Sequence, residues 1–420
     1  MTYDGWHSRS VNQSKTATTL ALALLCALTL AAVPAQAQTY TIIGNFGTNG
    51  TGVSPLYVTL DSTGNVYGTT YYGGLSYLGW GVVFKLTRHG SGWLQSVLYD
   101  FTGAADGGHP YGGVVFGPDG ALYGTASYGG KDNEGVVYKL QPPATRCQTV
   151  ECHWTETVIY NFTGAADGAA PQGNIVFDRA GNLYGTTLTG GIGGNGTVYE
   201  LSPAQGQWKL NIVQEFPNAS TGIGPVDGVI FDQAGNLYGT TGSGGSSNYG
   251  VVYELSPNGS GWSETILHNF AGSPNDGAFP AGLAFDSQGN LFGFAAEGGS
   301  NSWGVTFELQ PNGSGGYNYS VIYLFMPQPG GAPGGITVPL LDSAGNVYGS
   351  GTSGGSGEAG VIFELTPSGG SWNFITLHDF SGPDGDEPGG NLAFDAQGNL
   401  YGCAENGGRF GEGVVWQIAP

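Results

Sequence analysis

The chain has 420 residues, enough for two or three ordinary domains, and 80 of them are glycine. The glycine lacks a Gly-X-Y period, which excludes collagen, and it comes with many aromatic and few charged residues, which excludes a disordered glycine-rich chain. A net charge of −21 with only 10 Lys and Arg argues against nucleic acid and anionic membrane surfaces, and leaves cationic ligands, metal ions and neutral sugars open.

Residues 1–37 read as a secretory leader. Arg9 and Lys15 give a basic start, Thr19 to Val33 is an Ala/Leu-rich run, and Ala35-Gln36-Ala37 fits a small-residue cleavage site before Gln38. The apolar run is short for a membrane span, so the mature chain, residues 38–420, is expected to carry no transmembrane segment.

From there a phrase of the form Gly-Asn-Leu-Tyr-Gly recurs about every 55 residues. It reads Gly64-Asn65-Val66-Tyr67-Gly68, Gly120 to Gly124, Gly181 to Gly185, Gly235 to Gly239, Gly289 to Gly293, Gly345 to Gly349 and Gly398 to Gly402. One repeat, residues 172–216, contains four short apolar segments: Gln172 to Asp178, Asn182 to Thr187, Gly196 to Leu201 and Trp208 to Phe216. Turn residues separate them, with Asp178-Arg179-Ala180-Gly181-Asn182 as a tight turn and Ser202 to Gln207 as a polar one. Four strands per repeat, small residues in the first two and Trp, Tyr and Phe in the last two, predict an all-β, seven-bladed β-propeller with blades tapering to an axis.

The ends of the chain predict how the ring closes. The last repeat, from Asn391, stops at Pro420 after three strands, while Thr41 to Phe46 matches the fourth-strand text at Thr157 to Phe162. The N-terminal strand is therefore expected to complete the last blade and hide a sheet edge. Among the cysteines, Cys147 and Cys152 share a loop and could form a disulfide or a zinc pair, and Cys403 reads as a buried free thiol.

The combined text Gly-Asn-Leu-Tyr-Gly-Thr-Thr-x-x-Gly-Gly followed by Gly-Val-Val-Tyr-Glu-Leu, clearest at Gly235 to Leu255, resembles the GloVer tandem-repeat family of secreted, "choice-of-anchor" bacterial proteins over about residues 40–420. The resemblance implies an exported, propeller-like protein and no particular activity. With no anchoring helix or basic tail in view after Pro420, free secretion or periplasmic residence is expected rather than attachment.

Alternating strand directions place the loop between strands two and three and the blade-joining loop on one rim, the candidate binding face. The blade-joining loops repeat Asp-Gly at Asp106, Asp167, Asp227, Asp276 and Asp384, which either caps a turn or builds a ring of carboxylates for a cation. Asp384, Asp386 and Glu387 crowd one loop and are the candidate calcium ligands; no other cofactor is expected. Asp61, Asp178, Asp232, Asp286, Asp342 and Asp395, on the opposite rim, read as turn caps. Tyr72, Tyr77, Trp80 and Trp303 fall where the repeat does not require aromatics, and suit either stacking on sugar rings or cover over neighbouring loops. His109 lies beside Asp106 in sequence, but no nucleophile elbow, zinc-binding His-Glu-x-x-His or phosphate loop is present.

These readings converge on an exported, monomeric, non-catalytic propeller that binds a glycan or an envelope protein through one loop rim. The alternative is an extracellular hydrolase or lyase acting on polysaccharide or a small secreted substrate, with acids and His109 gathered at the channel mouth.

Overall fold

The computed structural model describes residues 38–47, 50–75, 79–143, 153–259, 261–326 and 337–420. The leader, Tyr77, Cys147 and Cys152 lie outside the described residues. Tyr40–Ala419 form one compact unit, an all-β ring of seven antiparallel sheets, a seven-bladed β-propeller. No described helix is long and apolar enough to cross a membrane.

Blade 3 shows the plan. Its innermost strand is split into Ala169–Pro171 and Val176–Phe177, and Leu183–Thr189, Thr197–Ala204 and Gln207–Glu215 follow outward in order. The third strand runs further than the sequence reading placed it. Ala204 pairs with Gln207, so the polar turn shrinks to Gln205-Gly206, with both residues at positive φ. That left-handed pair is the turn whose twist matches two antiparallel strands.

The recurring phrase is one physical device. In blade 3 the Asp178 carboxylate accepts the backbone N–H groups of Ala180 and Asn182 and the Asn182 side-chain amide. The glycine that follows takes φ 87° to complete the turn. Leu183 enters the core. The Tyr184 ring leaves its own blade and meets the edges of Phe231 and Trp262 in blade 4, at 5.1 and 6.2 Å between centroids. Gly185 then makes room for the third-strand Tyr199, whose hydroxyl lies 2.4 Å from where a Cβ would be. The Tyr–Phe contact recurs at Tyr67–Phe116, Tyr123–Phe177, Tyr238–Phe285 and Tyr348–Phe394. The apolar core is accordingly not within the blades but between them, as seven clusters that each join two neighbours.

The ring closes as expected. Thr39–Asn45 pairs with Val414–Ala419 and becomes the outermost strand of blade 7, whose other strands are Leu400–Asn406 and Asp386–Phe394. Phe46 N–H donates to Gly413 O at 3.0 Å, and the Arg409 N–H to the Asn45 side chain at 3.0 Å. Ile43 and Phe46 are buried in the cluster between blades 7 and 1.

Two stability outcomes follow. Deleting residues 38–46 removes at least two buried side chains worth about 1.5–3 kcal/mol each and opens a sheet edge, so melting should fall by roughly 10 °C or more; an unchanged melting curve would refute closure by this strand. Tyr401 is fully buried and donates to Asp395 at 2.9 Å. Tyr401→Phe should cost about 1 kcal/mol in urea unfolding and Tyr401→Ala about 3–5 kcal/mol, because only the latter empties the junction.

Candidate functional site

The rim carrying the blade-joining loops is built on a strained backbone position. Each described blade-joining loop ends in a residue–proline pair, and the residue before proline has positive φ: Ser54 56°, His109 54°, Ala170 50°, Gly224 62°, Phe279 57° and Glu387 55°. Proline disfavours helical φ/ψ before it, and a side chain disfavours φ above zero, so this costs about 1–2 kcal/mol per non-glycine residue. A hydrogen bond to the preceding blade holds it. The His109 N–H donates to Trp80 O at 2.7 Å, that of Phe279 to Tyr249 O at 2.9 Å, and that of Glu387 to Ala359 O at 3.1 Å. The proline ring then seats against the glycine that opens the preceding blade's third strand, as Pro110 does on Gly81. Blade docking thus fixes the backbone while leaving each of these side chains on the rim.

Between blades 1 and 2 the rim carries an aromatic cluster. His109 stacks on Tyr71 at 4.7 Å, and its Nδ1 lies 3.0 Å from Tyr71 O. Tyr72 meets Tyr71 and His109 edge-on and is 45% exposed. Trp80 is half-buried: it stacks on Tyr128 at 4.9 Å and lies against the backbone of Gly103 and Gly108. Trp303 belongs to the junction of blades 5 and 6, away from Trp80. A second aromatic pair, Tyr249 and Phe279, sits between blades 4 and 5. The sequence reading passed over these two, although a residue preceding the repeat's proline was the available signal.

The blade-joining aspartates close turns at the blade edge. Asp106 accepts from the Tyr99 hydroxyl at 3.0 Å, the Thr102 N–H at 2.9 Å and the Thr102 hydroxyl. Asp167 repeats this with Tyr160 and Thr163. Asp106 is not bonded to His109, so the pair adjacent in sequence is not a pair in space. The structure forms His–Asp pairs elsewhere, His268–Asp276 and His378–Asp384, each at 2.9 Å, with Tyr319 and Tyr40 stacked on the imidazoles at 3.5 and 3.6 Å. Asp384 also accepts from the Ser381 N–H and hydroxyl, while Glu387 accepts from Asn406 Nδ2 at 2.7 Å. Among the described residues no three His, Cys, Asp or Glu side chains form a group able to hold a metal. Cys403 is a buried free thiol.

Asp227 requires a correction. Its Asp-Gly text resembles the blade-joining turns, but Thr221-Gly222 occupies that place in blade 4, where Thr221 closes the turn that Asn218 caps. Asp227 instead follows the proline and lies on the innermost strand path, 6% exposed, lining the axial channel. Burial pushes its carboxyl up to about 6, and the backbone N–H groups of Gly228 and Asn174 oppose the rise. Glu405, near the mouth, is pushed up to about 7 by burial and by the charge of Glu387.

The shifts set a pH profile for stability. Asp227 rises to about 6, and Glu156, Glu264 and Glu405 each rise to about 7, mainly through burial. A carboxyl raised in the folded state contributes stability that is complete below its unfolded value and lost as pH rises through 6–7. Asp61, Asp276, Asp384 and Asp395 are held below the usual 3.8, because hydrogen bonds to the ionised form outweigh burial; their contribution is lost as pH falls below that value. The melting temperature should therefore peak at about pH 5 and decline toward both pH 8 and pH 3. A melting temperature that climbs steadily from pH 5 to 8 would contradict these environments.

The fold and site can be set beside known proteins. No curated protein matches the chain. Among solved structures, the extracellular domain of a hybrid two-component system from B. thetaiotaomicron aligns at TM-score 0.55 and 13% identity, covering 90% of this chain and 39% of that one. PorZ, a surface component of the type-IX secretion system of Porphyromonas gingivalis, aligns at 0.51 and 14%, covering 90% and 48%. A gluconolactonase from Xanthomonas campestris aligns at 0.41 and 15%, covering 71% and 82%. At these identities the likeness is one of fold. The Gloeobacter/Verrucomicrobia repeat matches residues 29–155, 152–283 and 260–420, and the chain belongs to that repeat family.

Proposed function

We propose that the protein is an exported, non-catalytic propeller that binds a glycan through the rim of blade-joining loops. One observation carries this reading. The exposed aromatic side chains of the described residues, Tyr72, Tyr128, Tyr249, Phe279 and Phe410, all lie on this rim, and the opposite rim has none. Exposed rings gathered on one face mark a contact surface. Rings bordered by acceptors suit sugars, whose C–H faces stack and whose hydroxyls donate; Glu387 and Asn406 supply such polar groups at the blade 7 sector. Export rests on the leader text of residues 1–37 and on the family resemblance.

A hydrolase or lyase is the second reading, favoured by Glu405: a carboxyl titrating at about 7 beside the Glu387 charge is suited to general acid work on a glycosidic bond. Both readings meet in one experiment. A panel of soluble glycans is titrated against the whole chain, and any binder is followed for product release. Tyr72→Ala with Tyr128→Ala should weaken binding by about tenfold or more with melting unchanged, and no product should form. Intact binding in that variant would sink the rim assignment. Turnover abolished by Glu405→Gln would replace the binding reading with the enzymatic one.

A further inference from the structure

The axial channel holds a cavity of about 230 Å³ whose lining includes a residue from every blade, among them Tyr57, Asn174, Asp227, Gly282 and Asn391. Most of its polar wall is committed to joining blades. Asn391 exchanges two hydrogen bonds of 2.9 Å with the Val58 backbone, Asn174 Oδ1 accepts from the Gly113 N–H at 2.9 Å, and the Thr59 hydroxyl donates to Val114 O at 2.5 Å. Three groups are not so used. Tyr57 is 2% exposed and lines the cavity, and the Thr240 hydroxyl on the same wall is buried with no hydrogen-bond partner. Asp227 carries a carboxylate where the corresponding residues in blades 2, 3 and 5 are Gly112, Gly173 and Gly282. Its polar neighbours are backbone N–H groups, Gly228 at 2.8 Å and Asn174.

A buried carboxylate with no cation beside it is costly, and the unpartnered Thr240 hydroxyl adds to the cost. The carboxylate is not needed for the fold, since the neighbouring blades manage with glycine at the Asp227 position. Tyr57 and Tyr111 both lie in the fields of Asp227 and Glu405, so a cation following that passage meets negative charge and aromatic faces along it. Among the described residues no Lys, Arg or His lines the cavity to compete. Metal is the weaker occupant, because one carboxylate and amides already bonded to backbone fall short of a coordination shell.

We propose that the channel is a binding site for a small molecule bearing a primary ammonium group, with Asp227 accepting from the ammonium and the Tyr57 hydroxyl completing its shell. The ammonium could belong to a free amine or to an amino sugar; the chemistry at Asp227 is the same. This site is separate from the rim and stands whether or not the rim binds glycan.

The test is isothermal titration and thermal shift on the whole chain with ethanolamine, glucosamine, N-acetylglucosamine, calcium chloride and potassium chloride. Ethanolamine, glucosamine or both should bind and raise melting, and the one that binds shows whether the channel admits free amines or sugar amines. N-acetylglucosamine should give no shift, because acetylation removes the charge. Asp227→Gly, which restores the residue of the neighbouring blades, and Asp227→Asn should each abolish the effect, while Tyr57→Phe should weaken it about tenfold, the scale of one charge-assisted hydrogen bond. The two Asp227 variants guard against misfolding of either. No response to any amine, an equal response in the Asp227 variants, or a response to calcium or potassium alone would overturn the proposal. Loss of amine binding in the Tyr72/Tyr128 variant would place the ammonium on the rim, and would overturn it as well.

Discussion

The taper of the ring governs the rest of the structure. Seven sheets that meet at an axis have room for rings at the circumference and almost none at the centre. The inner strands answer with glycine: a Cβ on Gly173 would sit 2.2 Å from Gly228 N, and one on Gly228 would sit 1.9 Å from Asn174 O. Further out the same geometry leaves wedge-shaped gaps, and the aromatic ring of each recurring phrase, tyrosine in six copies and Phe292 in the fifth, fills one from the neighbouring side. The phrase is therefore spaced by the size of a blade because each copy makes the same junction. Its chemistry, an aspartate collecting N–H groups and a tyrosine hydroxyl, is spent on holding that ring in place.

The fold was legible because this junction leaves its complete signature in consecutive residues. Asp178 to Gly185 contains the cap, the left-handed turn, the core leucine, the wedge and the glycine that admits a cross-strand ring. The closing strand was legible for the same reason, since Thr41 to Phe46 repeats the outer-strand text. The site was less so. Asp106, Asp167, Asp276 and Asp384 recur as faithfully as the turn caps do, and recurrence alone does not separate a cap from a ligand; their partners do. Asp227 was misplaced because a two-residue text match cannot tell a loop from the strand that follows it, and a six-residue shift moves a side chain from the blade edge to the axis.

The rim shows how a repeat can hold its backbone constant and vary its surface. The residue before the repeat's proline is fixed by an N–H bond to the preceding blade and by proline seating on glycine, both of which are blind to side-chain identity. Serine, histidine, alanine, glycine, phenylalanine and glutamate all occupy it. The strain of a left-handed residue before proline is tolerated because blade docking over-determines it. That arrangement separates the two demands on the sequence: the stitch maintains the ring, and the side chain is free to serve the surface. His109 and Phe279, which look unrelated in sequence, are the same position in two sectors, and each stands beside exposed tyrosine.

The same separation applies at the axis, with the opposite sign. There the taper leaves no freedom, so a side chain larger than hydrogen has to be accommodated by its neighbours. Gly282 faces Asp227 with its missing Cβ 2.7 Å from Oδ2, which means blade 5 gives up a side chain so that blade 4 can carry a carboxylate. Gly113 does likewise beneath Tyr57, whose Cβ lies 2.9 Å from where a Gly113 Cβ would be. Stability alone would fill such a space with apolar atoms or close it with glycine on both sides. A carboxylate and a phenol facing one enclosed space at the centre of a chain of net charge −21 are instead the arrangement that a cationic occupant would stabilise.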